Sequence, residues 1–280
     1  TLDLNGYTID RGLTEATSQG YVILVEGNLI IQDSSGDNSG KITGGNSLYA
    51  GGGVCVYGTF TMSGGTITGN VVDVYNNGSY GGGVYVGSGT FIMTGGKITG
   101  NTSLQYGGGV SIRNRGTFTM TGGEISDNTA GVGGGVYVVS STFTMMDGAI
   151  TGNTSSSYGG GVSVLYSTFT MNDGEISGNT ANTSGGGVYV STDSSDTFAS
   201  STFTMNGGEI SGNTANTHGG GVTGSVNLSG NAQITGNSKS GMANNVYLTS
   251  GNVITLTAAY TGEVGITIGK TATYFTITNG

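Results

Sequence analysis

The sequence predicts an all-β fold: a single-stranded, right-handed parallel β-helix (solenoid) of nine or ten coils, each about 26 residues long. Three observations predict it. One sequence unit repeats at a nearly constant period, apolar and polar residues alternate within the unit, and the 280 residues include 59 Gly and no Pro. At about 4.8 Å per coil, the expected rod is roughly 45 Å long.

Three motifs recur in a fixed order and define the repeat. Gly-Gly-Gly-Val begins at Gly51, Gly81, Gly107, Gly133, Gly159, Gly185 and Gly219. Thr-Phe-(Thr/Ile)-Met begins at Thr59, Thr90, Thr117, Thr142, Thr168 and Thr202. Ile-(Thr/Ser)-(Gly/Asp)-Asn ends at Asn70, Asn101, Asn128, Asn153, Asn179, Asn213 and Asn237. One uninterrupted array of this kind predicts a single domain.

The predicted domain covers residues 1–280 and has three parts. Residues 1–58 form N-terminal coils with a diverged version of the unit, 59–237 form the regular repeats, and 238–280 form degenerate C-terminal coils. The sequence begins at Thr1 without an initiating Met or a signal peptide, so the chain is expected to be a fragment of a longer protein.

Alternation within the motifs predicts strands. Phe60 and Met62 share one face of a two-residue period, while Thr59 and Thr61 share the other. We expect three strands of three to five residues per coil, with a polar loop after each repeated Asn. Stacking would place the Phe, Met and Asn residues in separate ladders, with Asn amides bonding between coils.

Composition supports the same fold. Gly permits positive φ and close backbone approach at each corner, and Pro would remove a donor from strands that are paired on both sides.

Composition also excludes other classes of protein. The single Cys, Cys55, excludes a disulfide scaffold. The charge of −9 and the few scattered cations argue against nucleic acid, and the lack of a long apolar run argues against membrane insertion.

The strings Ile-Ser-Gly-Asn-Thr-Ala (176–181) and Gly-Gly-Gly-Val-Tyr-Val (185–190) carry a family resemblance. They resemble the paired repeats of polymorphic outer-membrane proteins, and the whole unit resembles the repeats of surface and secreted right-handed β-helix proteins of gut Firmicutes. The resemblance covers roughly residues 2–248. It implies a bacterial, extracellular or cell-surface protein with an adhesin-like role, and it carries over no catalytic residue.

Outward-facing residues are the candidates for binding. The middle residue of the Gly-Val-Tyr-Val strand forms a column that includes Tyr85, Tyr137 and Tyr189, and Tyr106 and Tyr158 precede Gly triplets beside it. Tyr combines apolar area with a hydroxyl and could stack on a glycan, although Tyr also simply favours strands. The long loop with Asp193 and Asp196 is a further candidate for binding or a neutral insertion.

Carboxylates at one corner suggest a Ca²⁺ site as an alternative to a solvated face. The candidate ligands are Asp147, Asp173, Glu175 and Glu209. Oxygen ligands suit Ca²⁺, but no calcium-binding repeat is present. The expectation is therefore that the chain has no cofactor.

Function is predicted from these candidates. The first choice is a non-enzymatic, adhesin-like module that binds a glycan or a host or bacterial surface protein, or serves as a stalk, and the module is expected to be monomeric. The alternative is a carbohydrate-active β-helix enzyme, a polysaccharide lyase or glycoside hydrolase, although the nearly uniform repeat offers no catalytic cluster. The third is an ice-binding protein that uses the Thr-x-Thr columns.

Overall fold

The computed structural model describes residues 1–73, 78–191, 200–249 and 251–268, together with the backbone of 277–279. This part of the chain is all-β: it contains no helix, and its strands stack in three sheets that are parallel except for one pair. It therefore also contains no helix that is long and apolar enough to cross a membrane. The predicted all-β class and parallel stacking are confirmed.

Sheet 1 carries the Thr-Phe-Thr-Met and Ile-Thr/Ser motifs and comprises 19 strands within the described residues. Its strands are Leu2–Asp3, Thr8–Asp10, Asn28–Gln32, Lys41–Thr43, Thr59–Met62, Thr66–Thr68, Thr90–Met93, Lys97–Thr99, Thr117–Ser126, Thr142–Thr151, Thr168–Met171, Glu175–Ser177, Thr202–Met205, Glu209–Ser211, Val226–Gly230, Gln233–Thr235, Ile254–Tyr260, Glu263–Val264 and Ile277–Asn279.

Sheets 2 and 3 form the remaining sides. Sheet 2 follows the repeated Asn and contains Asn46–Ser47, Val71–Val72, Thr102–Tyr106, Thr129–Val132, Thr154–Ser155, Thr180–Ala181, Thr214–Ala215, Ser238–Lys239 and Met242–Ala243. Sheet 3 follows the Gly triplet and contains Ile23–Val25, Val54–Val56, Val84–Gly87, Val110–Arg113, Val136–Val139, Val162–Leu165, Val188–Val190, Val222–Thr223, Val246–Leu248 and Ile266–Ile268.

The Phe and Met ladders lie in the core as the repeat predicts. Six Phe side chains stack in register from coil to coil, with ring centroids 4.7 to 5.0 Å apart. They are Phe60, Phe91, Phe118, Phe143, Phe169 and Phe203, and each is at most 1% exposed. Burial of one such ring stabilises the fold by roughly 1.5–3 kcal/mol, so the ladder is a main source of stability.

The Asn ladder is also confirmed. Asn153 donates from its backbone N–H and its Nδ2 to Oδ1 of Asn179, at 2.9 Å for each bond, and its Nδ2 also donates to the Ile125 carbonyl. Asn128 makes the same pair of donations to Asn153 Oδ1 at 3.0 Å. These amides are fully buried, and each one joins three successive coils.

Two local predictions were wrong. The residues after each ladder Asn were expected to be a polar loop, but they form sheet 2 and bury small side chains such as Ala130, Ala181 and Ala215. These strands are mostly too short to show alternation. In addition, the Thr-Phe-Thr-Met motif and the following Ile motif were expected to form two separate short strands. In two coils they form one continuous strand of ten residues, Thr117–Ser126 and Thr142–Thr151, because Thr121 pairs with Asp147 between the two motifs.

The C-terminal end departs from the repeat. Ser238–Lys239 and Met242–Ala243 pair antiparallel, in contrast to the other strand pairs of the described chain. This hairpin brings Asn245 beneath Asn237, whose Nδ2 donates to Asn245 Oδ1 at 3.0 Å. An Asn only eight residues further along the chain thereby ends the ladder.

Candidate functional site

The outer surface of sheet 3 collects most of the predicted binding tyrosines, and we call it the tyrosine face. It has a strand column, formed by the residues of sheet 3 that are in register with Tyr85, and a loop column, formed by the residue before each Gly triplet. The strand column is Leu24, Cys55, Tyr85, Ser111, Tyr137, Ser163, Tyr189, Thr223, Tyr247 and Thr267. The loop column includes Tyr80, Tyr106, Val132, Tyr158, Ser184 and His218.

The Gly triplet brings the two columns together. Gly159 has a φ of +65°, which turns the chain back so that Tyr158 and Ser163 lie on the same surface. A Cβ added to Gly159 would lie 2.8 Å from the Ser163 Cβ, so the turn requires Gly. Tyr158 then stacks on Tyr189, the strand-column residue of the next coil.

The N-terminal half of the face is closed by its own side chains. Tyr106 stacks on Tyr137 with ring centroids 4.8 Å apart, Tyr80 stacks on Tyr106, and the Arg113 guanidinium lies 3.8 Å from the Tyr80 ring centroid. Tyr85 and Tyr137 are consequently only 7% and 6% exposed. Burial raises the pKa of both phenols. Outward direction alone therefore does not make these two residues accessible.

The C-terminal half of the face is more open and holds two separate aromatic pairs. Tyr158 stacks on Tyr189 at 4.6 Å, and His218 stacks on Tyr247 at 4.1 Å, with interplanar angles of 28° and 27°. Tyr158 is 37% exposed. A groove of about 150 Å³ lies between the pairs. It is lined by Tyr158, Ser184, Tyr189, Val190, His218, Thr223, Gly224, Tyr247, Thr249 and Asn252. We call it the C-terminal groove.

Neutral polar groups supplement the rings in the C-terminal groove. Thr223 donates its hydroxyl to the His218 carbonyl at 3.1 Å, and Thr249 donates to Asn252 Oδ1 at 2.6 Å. Its described lining contains no carboxylate, Lys or Arg. Burial, followed by the charge of Lys239, lowers the pKa of His218 and favours its neutral form. The groove therefore offers aromatic faces and hydroxyl and amide groups without a formal charge near neutral pH.

A second groove lies at the N-terminal end of the same face. It has a volume of about 260 Å³ and is lined by Ser18, Gln19, Tyr21, Leu24, Glu26, Tyr49, Ala50, Cys55 and Tyr57. Cys55 is buried, and this burial raises the pKa of its thiol to about 11. Sequence reasoning missed this groove because Tyr21 and Tyr49 precede the regular repeats.

The acidic candidates are only partly brought together. Asp173, Glu175 and Glu209 line a groove of about 380 Å³ with Asn231 and Gln233, whereas Asp147 is not part of that lining. Glu175 and Glu209 are direct neighbours in sheet 1. No group of three or more His, Cys, Asp or Glu side chains is arranged to hold a metal ion within the described chain. Calcium binding remains a prediction.

The remaining candidates have different outcomes. Asp193 and Asp196 lie outside the described residues. The Thr-x-Thr columns are in register on sheet 1, and Ile92 interrupts the second column between Thr61 and Thr119. Sequence reasoning did not identify Tyr247 or its pairing with His218, although His218 does occupy the position before a Gly triplet that Tyr or Ser fills elsewhere.

Comparisons with family models, with curated proteins and with solved structures find no match for this chain. The fold and the surface described above are therefore the basis for a functional proposal.

Proposed function

We propose that this protein is a non-enzymatic, adhesin-like module that binds glycans through its tyrosine face. The observation that carries the proposal is the C-terminal groove, which lies between the Tyr158–Tyr189 and His218–Tyr247 pairs. Aromatic rings cover the apolar faces of sugars, while hydroxyl and amide groups can exchange hydrogen bonds with sugar hydroxyls.

The wider setting of the proposal comes from the repeat. We place the module in a bacterial protein that is secreted or displayed at the cell surface, as a monomeric, right-handed rod of nine or ten coils. Right-handed crossover between parallel strands is the general rule, and the repeat resembles those of surface β-helix proteins. A surface protein of the host or of another bacterium is the other partner class that such a rod could bind.

Glycan-array screening followed by calorimetry tests the proposal. Tyr158→Ala and His218→Ala each remove one stacking ring, and we expect either change to weaken binding to the selected glycan roughly tenfold. Tyr7→Ala is the matched control, because Tyr7 is 74% exposed and lies outside the tyrosine face. Thermal unfolding of each variant verifies that the rod is intact.

Two results would contradict the proposal. One is the absence of any glycan whose binding is weakened by the two groove variants but not by Tyr7→Ala. The other is turnover of the bound glycan, measured as new reducing ends or unsaturated products, which would favour the carbohydrate-active enzyme instead.

A further inference from the structure

The groove at the N-terminal end of the tyrosine face differs from the C-terminal groove in size and in charge. We call it the N-terminal groove, and its volume is about 260 Å³, against about 150 Å³ for the C-terminal groove. Its described lining contains the rings of Tyr21, Tyr49 and Tyr57 and the carboxylate of Glu26, but neither Lys nor Arg. It therefore combines aromatic surface with one acidic side chain.

The aromatic rings of the N-terminal groove do not stack on one another. In the part of the chain that the structure describes, Tyr21 and Tyr49 make no ring–ring contact, and Tyr57 meets Tyr85 edge to face, with ring centroids 6.2 Å apart and an interplanar angle of 74°. Tyr49 and Tyr57 are 43% and 52% exposed. Aromatic surface is therefore left uncovered at this groove, in contrast to the stacked pairs further along the face.

The carboxylate of Glu26 has no counter-ion within the protein. The one ion pair among the described residues joins Lys97 and Glu124, on sheet 1. Arg11 lies beside the groove, where its guanidinium is 5.7 Å from the ring centroid of Tyr21 and donates to the Tyr21 carbonyl. Arg11 therefore contacts Tyr21 without pairing with Glu26, and a cationic ligand would supply the counter-ion that the fold does not.

Two other titratable groups of the lining add no negative charge near neutral pH. Burial raises the pKa of the Cys55 thiol to about 11. Burial, followed by the neighbouring Cys55 and Tyr85, raises the pKa of the Tyr57 phenol to about 12. Attraction of a cation to this groove therefore depends on Glu26, a single residue that can be neutralised by mutation.

From this combination we infer that the N-terminal groove binds a compact organic cation of the quaternary ammonium class. Such a cation is attracted to the negative face of an aromatic ring, and several rings around one site form a cage for it. Its methyl groups also pack on apolar surface, which Leu24 supplies here. A volume of about 260 Å³ suits a small head group, because pockets for drug-sized ligands enclose roughly 300–1,000 Å³. This site is separate from the proposed glycan site and does not rest on it.

NMR titration of the intact chain with choline tests the inference, with 3,3-dimethylbutan-1-ol as the matched neutral ligand. The two compounds have the same shape, but choline alone carries a charge. We expect saturable binding of choline and at least about tenfold weaker binding of the alcohol. The amide shift changes should cluster at Gln19, Ala50 and Cys55, which line the groove.

Matched variants locate the charge that is recognised. Glu26→Gln removes the carboxylate at nearly constant size and should weaken choline binding about threefold. Glu15→Gln is the control, because Glu15 is also an exposed carboxylate of the N-terminal coils but does not line the groove. Tyr49→Ala removes one ring and should weaken binding by about the same factor as Glu26→Gln. Thermal unfolding of each variant verifies that the rod is intact.

The possible results decide the inference independently of the glycan array. The absence of saturable choline binding, equal affinities for choline and the neutral alcohol, or equal effects of Glu26→Gln and Glu15→Gln would each overturn it. Shift changes that cluster around Tyr158 and His218 would place the cation in the C-terminal groove and would overturn it as well. If Tyr49→Ala proves unstable, the comparison of Glu26→Gln with Glu15→Gln decides, because neither change removes a ring.

Discussion

At the scale of single residues, glycine meets two different steric requirements within one Gly triplet. Gly133 has a φ of +66°, a conformation that is strained for residues with a side chain. Gly135 does not need a positive φ. Its constraint is space, because an added Cβ would lie 2.7 Å from the carbonyl oxygen of Gly161 in the next coil. The repeated Gly therefore reflects both chain direction and the close stacking of coils.

Gly135→Ala should therefore be strongly destabilising. The methyl group cannot fit without separating two coils, and we expect a loss of at least about 2 kcal/mol in the free energy of unfolding. Gly27→Ala is the control, because Gly27 has no heavy atom within 4 Å of its added Cβ. Chemical denaturation measures both variants. Equal midpoints for Gly135→Ala and the wild type would show that the coils can separate at little cost.

At the scale of elements, side-chain ladders hold the coils in register. A ladder residue has the same type of residue in the coils above and below it. Its packing and hydrogen-bonding requirements must therefore be met by copies of itself. Phe does this by parallel stacking, and Asn does it because one amide both donates and accepts. A Leu in the Asn ladder would fill space but could not exchange these bonds.

Asn153→Leu tests the Asn ladder. The change removes the acceptor of the Asn128 amide and the donor to the Ile125 carbonyl, and both partners remain buried. Each unsatisfied buried group costs about 1–3 kcal/mol, so we expect a loss of roughly 3 kcal/mol in the free energy of unfolding. Asn182→Leu, at an exposed site, should have little effect. Equal losses for both variants would contradict the role of the ladder.

At the scale of the whole molecule, each coil contacts its direct neighbours, and local opening should therefore begin at the ends of the rod. In the N-terminal coil, Asp3 accepts hydrogen bonds from Gln32 Nε2 and from the backbone N–H groups of Ser34 and Asn5. These bonds lower the pKa of Asp3 to about 2. This exposed carboxylate connects the first coil to the second.

The stability of the first coil should consequently depend on pH in acid. Because the pKa of Asp3 is lower in the folded chain than in the unfolded chain, its contribution is present above about pH 4 and is lost as the pH falls toward 2. We expect hydrogen-exchange protection around Leu4 to decrease over this range, while protection at Phe143 persists. Asp3→Asn should abolish the pH step at Leu4. If the pH step in protection at Leu4 remains in this variant, another carboxylate causes it.

The molecule could be predicted from its sequence wherever the repeat is regular. Phe143 and Asn153 were placed correctly because many copies of the same residue must share one environment. Sheet 2 was missed because strands such as Thr180–Ala181 have too few residues for a periodic signal. The closed half of the tyrosine face was missed because a two-residue period gives the direction of Tyr137 but not what covers it.

The sequence by itself determined the all-β class, the parallel stacking and the identity of the core ladders, because these depend on a local pattern repeated at a fixed period. Only the tertiary structure decided which tyrosines are accessible. Tyr106 stacks on Tyr137 and Tyr158 on Tyr189 across adjacent coils, with Arg113 beside the first group. These contacts join residues about 30 positions apart. Their geometry depends on the turn at each Gly triplet and on the sizes of the side chains that meet from adjacent coils.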